Sequence, residues 1–255
     1  MTLLSASDVS LSYGDQAALR NVSISLDSGQ VVALIGPNGS GKSSLIKSLL
    51  GHVSARGMIS WRGKDLRQWR PRELARVVAY LPQSPAYQAS QTVAETLRLG
   101  RAPYWGAFGL ESSADERVTM EVARLLGLED LLKRPMEQMS GGQRQRVFIG
   151  RCLAQEPSAL LLDEPNTFLD LKHQIDLWNL LRDLARKKGL AVLVASHELN
   201  IAGGYADRML LLNAGGVAAE GNADAVLRPD VLSPVYGVPI QRLGDSANPV
   251  VVPRI

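Results

Sequence analysis

The chain has 255 residues, 45% hydrophobic and 21% charged, a globular balance that excludes a largely disordered protein. Lys and Arg number 28 against 25 Asp and Glu, a net charge of +3 that makes no case for a nucleic-acid binder by itself. The single cysteine, Cys152, excludes an internal disulfide, and no apolar run approaches the roughly 18 residues that span a bilayer. Residues Met1 to Ser10 lack the basic end and long apolar stretch of a secretory signal, so the expectation is a soluble, cytoplasmic α/β protein.

Val9, Leu11 and Tyr13 alternate with polar residues, as do Val22, Ile24 and Leu26. Period-two alternation predicts half-buried, antiparallel strands. Val31 to Ile35 is a continuous apolar run suited to a strand buried on both faces. A glycine-rich turn follows, then Leu45, Ile46, Leu49 and Leu50 at helical spacing, with Gly51 as a stop. The stretch from about 88 to 140 reads as an inserted helical subdomain, with Val118, Val122, Leu125 and Leu126 on one helix face and Gly127 ending it. A helix from about Gly142 precedes Pro157, and Leu160 to Leu162 is a buried strand. Leu177, Trp178, Leu181, Leu184 and Ala185 form a helix face closed by Lys187, Lys188 and Gly189. Ala191 to Ala195 is a further buried strand, and Met209 to Ala219 folds as a late hairpin. Buried strands alternating with helices predict a mainly parallel sheet. The expected organisation is one domain over 1–244, with 245–255 as a tail of no clear pattern.

Gly36-Pro37-Asn38-Gly39-Ser40-Gly41-Lys42-Ser43 matches the G-x-x-x-x-G-K-[ST] phosphate loop between a buried strand and a helix. Its glycines let backbone N–H groups converge on phosphate oxygens, and the helix adds free donors and the positive end of its dipole. Lys42 is placed to reach the β- and γ-phosphates, the Ser43 hydroxyl to bind Mg²⁺, and Ser44 completes the phosphate-binding set. Such a loop needs a carboxylate on a neighbouring strand. Asp163, ending the Leu160–Leu162 run, is the candidate to hold Mg²⁺, and Glu164 the candidate general base. His197 follows the Ala191–Ser196 strand, so Lys42, Asp163 and His197 project toward one crevice beyond the carboxyl ends of the strands. His52 and His173 read as structural or surface residues.

Met139-Ser140-Gly141-Gly142-Gln143-Arg144-Gln145-Arg146 closely resembles the signature of ATP-binding-cassette (ABC) ATPases, with Met139 in place of the usual Leu. The order of motifs is also similar to that family: phosphate loop, signature about 100 residues on, acidic strand about 20 later. The resemblance implies a P-loop NTPase core with an N-terminal antiparallel β subdomain and an inserted α-helical subdomain. It implies that Ser140, Gly141, Gly142 and Gln143 serve ATP held by a second copy, so that two ATPs are sandwiched in a head-to-tail homodimer. It also implies adenine stacking by Tyr13, contact of Gln83 with Mg²⁺ and the attacking water, and an interface role for Asp170.

Leu169-Asp170-Leu171-Lys172-His173-Gln174, His197-Glu198-Leu199-Asn200 and Tyr205-Ala206-Asp207-Arg208 resemble stretches of the ATPases of ferric-siderophore, haem and vitamin B12 importers, with Glu198 in place of an Asp. Leu97-Arg98-Leu99-Gly100-Arg101 resembles that branch too. The resemblance implies polytopic membrane permease subunits as partners, a substrate-binding protein acting indirectly, and attachment at the cytoplasmic face of the cell membrane. The alternative is a soluble ABC ATPase acting on nucleic acid or ribosomes. One phosphate loop, one cysteine and no heptad run speak for transport and against a nucleic-acid partner.

Overall fold

The computed structural model describes residues 1–106, 111–167, 169–245 and 249–254. Parts of the expected helical insertion and tail, at 107–110, 246–248 and 255, lie outside the described residues.

Two antiparallel strands open the chain, β1 (Thr2–Tyr13) and β2 (Gln16–Asp27), and β1 also pairs with β4 (Arg56–Trp61), which continues into β5 (Lys64–Asp65). These four form one sheet in the order β2-β1-β4-β5. The second sheet holds β3 (Val31–Ile35), β6 (Val78–Leu81), β7 (Ala159–Asp163), β8 (Ala191–Ser196), β9 (Arg208–Asn213) and β10 (Gly216–Gly221). Its order is β10-β9-β3-β8-β7-β6, parallel throughout except for β10, which closes a hairpin with β9. Every residue of β3, β7 and β8 is buried, which is why these strands read as unbroken apolar runs.

The pleat of β3 divides the core into two layers. Val32 and Leu34 face the N-terminal sheet and helix α1 (Lys42–Leu49), while Val31, Ala33 and Ile35 face the large helices. Those helices are α5 (Gly141–Leu153) and α6 (Leu171–Lys188). The other α-helices among the described residues are α2 (Pro71–Leu74), α3 (Val93–Arg98), α4 (Ser113–Leu126), α7 (Leu199–Tyr205), α8 (Ala223–Val226) and α9 (Pro229–Tyr236). Gly127 and Gly189 end α4 and α6 in left-handed conformations, the stops expected of them.

Helices α3, α4 and the start of α5 form the inserted layer. Arg101 ties it together from a buried position. Its guanidinium donates to Asp115 on α4 at 2.9 Å, to the Ala154 carbonyl after α5 at 2.7 Å and to Glu156 at 2.6 Å, and it stacks on Tyr104 at 4.0 Å. Gly100 lets the backbone approach α5, since a Cβ there would lie 2.1 Å from the Arg151 carbonyl oxygen.

The expected patternless tail needs correction. β12 (Val250–Pro253) pairs antiparallel with β11 (Ile240–Leu243), and Val251 is buried. Asn200 of α7 clamps that strand, donating to the Val251 carbonyl at 3.0 Å and accepting its N–H at 2.8 Å. A four-residue strand without alternating burial leaves too short a pattern to read, and its anchor lies far back in sequence.

Candidate nucleotide site

β3 ends at Ile35, and the chain reverses before α1 begins at Lys42. Two glycines permit this turn. Gly36 has φ 145°, and a Cβ there would lie 2.3 Å from the Leu212 carbonyl oxygen. Gly41 has φ 107°, and its Cβ would lie 2.7 Å from the Ala18 carbonyl oxygen. A side chain at either position would push β9 or β2 away from the loop. The buried Ser40 hydroxyl in this loop has no hydrogen-bond partner among the described residues. The N–H groups of the first turn of α1 have no acceptor within the helix and make an anion-binding end.

Lys42 folds back over the loop. Its ammonium donates to the Gly36 carbonyl at 2.8 Å and the Pro37 carbonyl at 3.2 Å, and lies 3.8 Å from Glu164 Oε1. Burial pulls its pKa below the usual lysine value, against the carboxylates of Glu164 and Asp163. A buried cation on weak carbonyl acceptors is poised for a stronger anion.

Ser43 Oγ donates to Asp163 Oδ1 at 3.0 Å. Burial pushes the Asp163 carboxyl above its ordinary pKa, and the Ser43 hydrogen bond opposes that push. Tyr80 on β6 faces the same carboxylate, and burial, followed by the Asp163 charge and a hydrogen bond to it, pushes its phenol up to about 12. The hydroxyl and carboxylate form a hard-oxygen donor pair, and a cation there would offset the cost of holding Asp163 charged. These residues therefore fit Mg²⁺.

Glu164 turns off the end of β7 at φ 49°, with its N–H on the Ala195 carbonyl at 3.0 Å. A non-glycine residue in this region carries strain of order 1–3 kcal/mol, and here it aims the carboxylate across the strand ends. Gln83 Nε2 donates to Glu164 Oε2 at 2.9 Å, and His197 Nδ1 lies 3.9 Å from the same oxygen. His197 Nε2 is 3.3 Å from Glu198 Oε1, so the half-exposed imidazole sits between two carboxylates. Lys42, Gln83 and His197 thus converge on Glu164.

A cleft of about 430 Å³ opens beside this cluster. Lys42, Ser43, Gln83 and Glu164 line its inner end, and Tyr13, half exposed, stands with Gln16 at its rim. Asn38, Gly39 and Ser44 also line it.

The signature lies elsewhere. Ser140 caps α5, accepting the Gln143 N–H at 3.2 Å, while Gln143 Oε1 accepts the Ser140 N–H at 3.0 Å. None of Ser140 to Gln143 lines the cleft. Asp170 likewise stays outside it and caps α6 through the His173 N–H at 2.9 Å. Sequence reasoning read His173 as a structural or surface residue, and its ring lies against Gly142 and bonds Asp170. Tyr80 was also missed as a partner of Asp163. The signals for His173 were its place in the Leu169–Gln174 stretch and its position three residues after Asp170, a spacing that helix geometry brings together.

A buried-lysine loop, a paired hydroxyl and carboxylate, and a glutamate at the strand ends define a nucleotide-hydrolysing P-loop core. Comparison with known proteins agrees. Residues 19–167 match the family model described as ABC transporter, and the chain belongs to that family as an ATP-binding ATPase subunit. Among curated relatives, the iron(3+)-hydroxamate import ATP-binding protein FhuC of Bacillus subtilis is 36% identical over 96% of this chain and 91% of its own length. The hemin import ATP-binding protein HmuV of Shewanella denitrificans is 39% identical over 98% of this chain and 100% of its own. Among solved structures, MJ1267, an ABC transporter cassette in its ADP conformation, superposes with a TM-score of 0.84 at 29% identity, covering 92% of this chain and 98% of that one. The dimeric cassette MJ0796 superposes at 0.76 with 27% identity, covering 87% of this chain and 99% of that one.

Proposed function

We propose that the chain is the ATP-hydrolysing subunit of an importer for a metal chelate, a ferric siderophore, haem or cobalamin. The observation that carries the ATPase chemistry is the convergence of Lys42, Gln83 and His197 on Glu164 beside the cleft. The importer class is supported by relatives whose names specify iron-hydroxamate and hemin import, which favour transport over action on nucleic acid.

In this reading the triphosphate takes the loop Gly36–Ser44, with Lys42 exchanging its carbonyl partners for phosphate oxygens. Tyr13 meets the adenine at the rim. Ser43, Asp163 and Gln83 would hold Mg²⁺, which would supply charge stabilisation to the phosphate oxygens. Glu164 accepts a proton from the attacking water while Gln83 and His197 keep its carboxylate turned to the reacting face. Ser140 to Gln143 and Asp170 of one copy meet the ATP of another, giving a two-fold, head-to-tail pair. The solved dimeric cassette supports such pairing in the family.

Among the described residues no helix is long and apolar enough to cross a membrane. The path for the chelate therefore belongs to permease subunits, with this chain attached peripherally at the cytoplasmic face and a substrate-binding protein acting from the other side. Reconstitution with the permease in vesicles, supplied with ferric hydroxamate, haem or cobalamin, tests the assignment. ATP-dependent accumulation of one chelate is expected. ATP hydrolysis with uptake of none of them contradicts the substrate class.

A further inference from the structure

We propose that His173 is a positioning residue that fixes the signature against Asp170, and so sets the geometry with which one copy meets the ATP of another. The inference rests on the two-copy reading above. Two sets of contacts carry it.

The first orients the ring. Asp170 Oδ1 accepts both the His173 backbone N–H at 2.9 Å and the ring Nδ1 at 2.7 Å. A carboxylate oxygen only accepts, so Nδ1 is the donor in that bond and the ring is held by its Nδ1 edge. The same bonds hold the Asp170 carboxyl below its usual pKa, the backbone bond first and the ring bond second. The second set lies on the opposite side of the ring. A Cβ at Gly142 would stand 2.8 Å from His173 Cδ2 and 3.2 Å from Nε2. The imidazole therefore rests on the bare backbone of the signature, and Gly142 makes room for a ring as well as for a ligand. Gly142 lies at the start of α5, the part of that helix in the inserted layer, whereas Asp170 and His173 begin α6, packed on the parallel sheet. The ring is thus a spacer between two elements that must reach a partner copy together. Shifts of about 1 Å in such a spacer cost catalytic systems about 100-fold.

The test uses His173→Ala and His173→Phe, each in the wild-type chain and in a Glu164→Gln background that slows hydrolysis. Hydrogen exchange of the nucleotide-free chain reads the contact itself. Pairing against ATP concentration, by sedimentation, reads its consequence. His173→Ala is expected to speed exchange across residues 140–145, leave residues 36–44 unchanged, and raise the ATP needed for half-pairing about tenfold. His173→Phe still covers Gly142 but loses the bond to Asp170. It is expected to keep wild-type exchange at 140–145 and still pair poorly. The proposal is overturned if His173→Ala changes neither readout, if it speeds exchange through the loop at 36–44 equally, or if His173→Phe pairs as well as wild type, which marks the ring as mere filler. Failure of the Glu164→Gln chain itself to pair overturns the two-copy reading, while the exchange measurement still decides the contact.

Discussion

The phosphate loop and the signature are both glycine-rich turns that start a helix, yet they are finished to different degrees. Around Lys42 every charged group already has a partner inside one chain: carbonyls and Glu164 for the ammonium, Ser43 for Asp163, Gln83 for Glu164. Ser140 and Gln143 bond each other in a capping box, Gly142 meets the His173 ring, and the face they present lies off the cleft. Preorganisation is concentrated where chemistry occurs, and the second anion-binding end is left for another molecule. On the proposed reading, one chain binds ATP alone and efficient hydrolysis requires two.

The largest effect expected from this contrast lies at Glu164. Glu164→Gln keeps the amide within reach of Gln83 and removes the base, so steady-state hydrolysis should fall by about 10²–10⁴-fold with ATP affinity retained. A phosphate-release assay beside equilibrium binding of a fluorescent ATP analogue measures both, and undiminished turnover would remove Glu164 from its role. Next comes the scaffold that presents the signature. Arg101→Leu leaves the buried Asp115 carboxylate without its cation, with only the Ser112 hydrogen bonds, and should cost about 3–5 kcal/mol in denaturant unfolding. A loss below 1 kcal/mol would mean that the inserted layer does not depend on this pair.

A pH experiment sharpens the loop side. The Asp163 carboxyl is raised by burial, so its contribution to stability is present below the ordinary carboxylate range and is lost as pH rises through its folded pKa. Asp163→Asn should melt higher than wild type at pH 7 without nucleotide, with the gap closing as pH falls below that range, while turnover is lost. Equal melting of the two proteins at pH 7 would show that this carboxylate carries no desolvation cost. The smallest effect belongs to the signature cap. Ser140→Ala should cost about 1 kcal/mol of stability and leave ATP binding by the isolated chain unchanged. A weakened affinity there would mean that the signature serves its own ATP.

Much of this was readable before the fold. The runs at Val31–Ile35, Leu160–Leu162 and Ala191–Ala195 are unbroken because parallel strands are covered on both faces, and the phosphate loop lies where a strand meets a helix. Lys42, Asp163 and His197 could be placed together because a loop after β3, the end of β7 and the residue after β8 all lie at the carboxyl ends of strands in one sheet. His173 could not, since its role comes from a contact with Gly142 made only when α5 and α6 pack. Tyr80 was hidden for the same reason: on β6 it reads as one residue of a strand, and only the pairing of β6 with β7 brings it to Asp163. The strand β12 was hidden by its brevity, with Asn200, its anchor, some fifty residues away.

The central claim is that ATP joins two copies through sites each leaves incomplete. Its most direct test is the mass of the Glu164→Gln chain in solution, by sedimentation or light scattering, with and without saturating ATP and magnesium. The account predicts twice the 27.6 kDa chain mass with ATP and a return to one chain when nucleotide is removed. A single-chain mass at saturating ATP, with nucleotide shown to be bound, would contradict it.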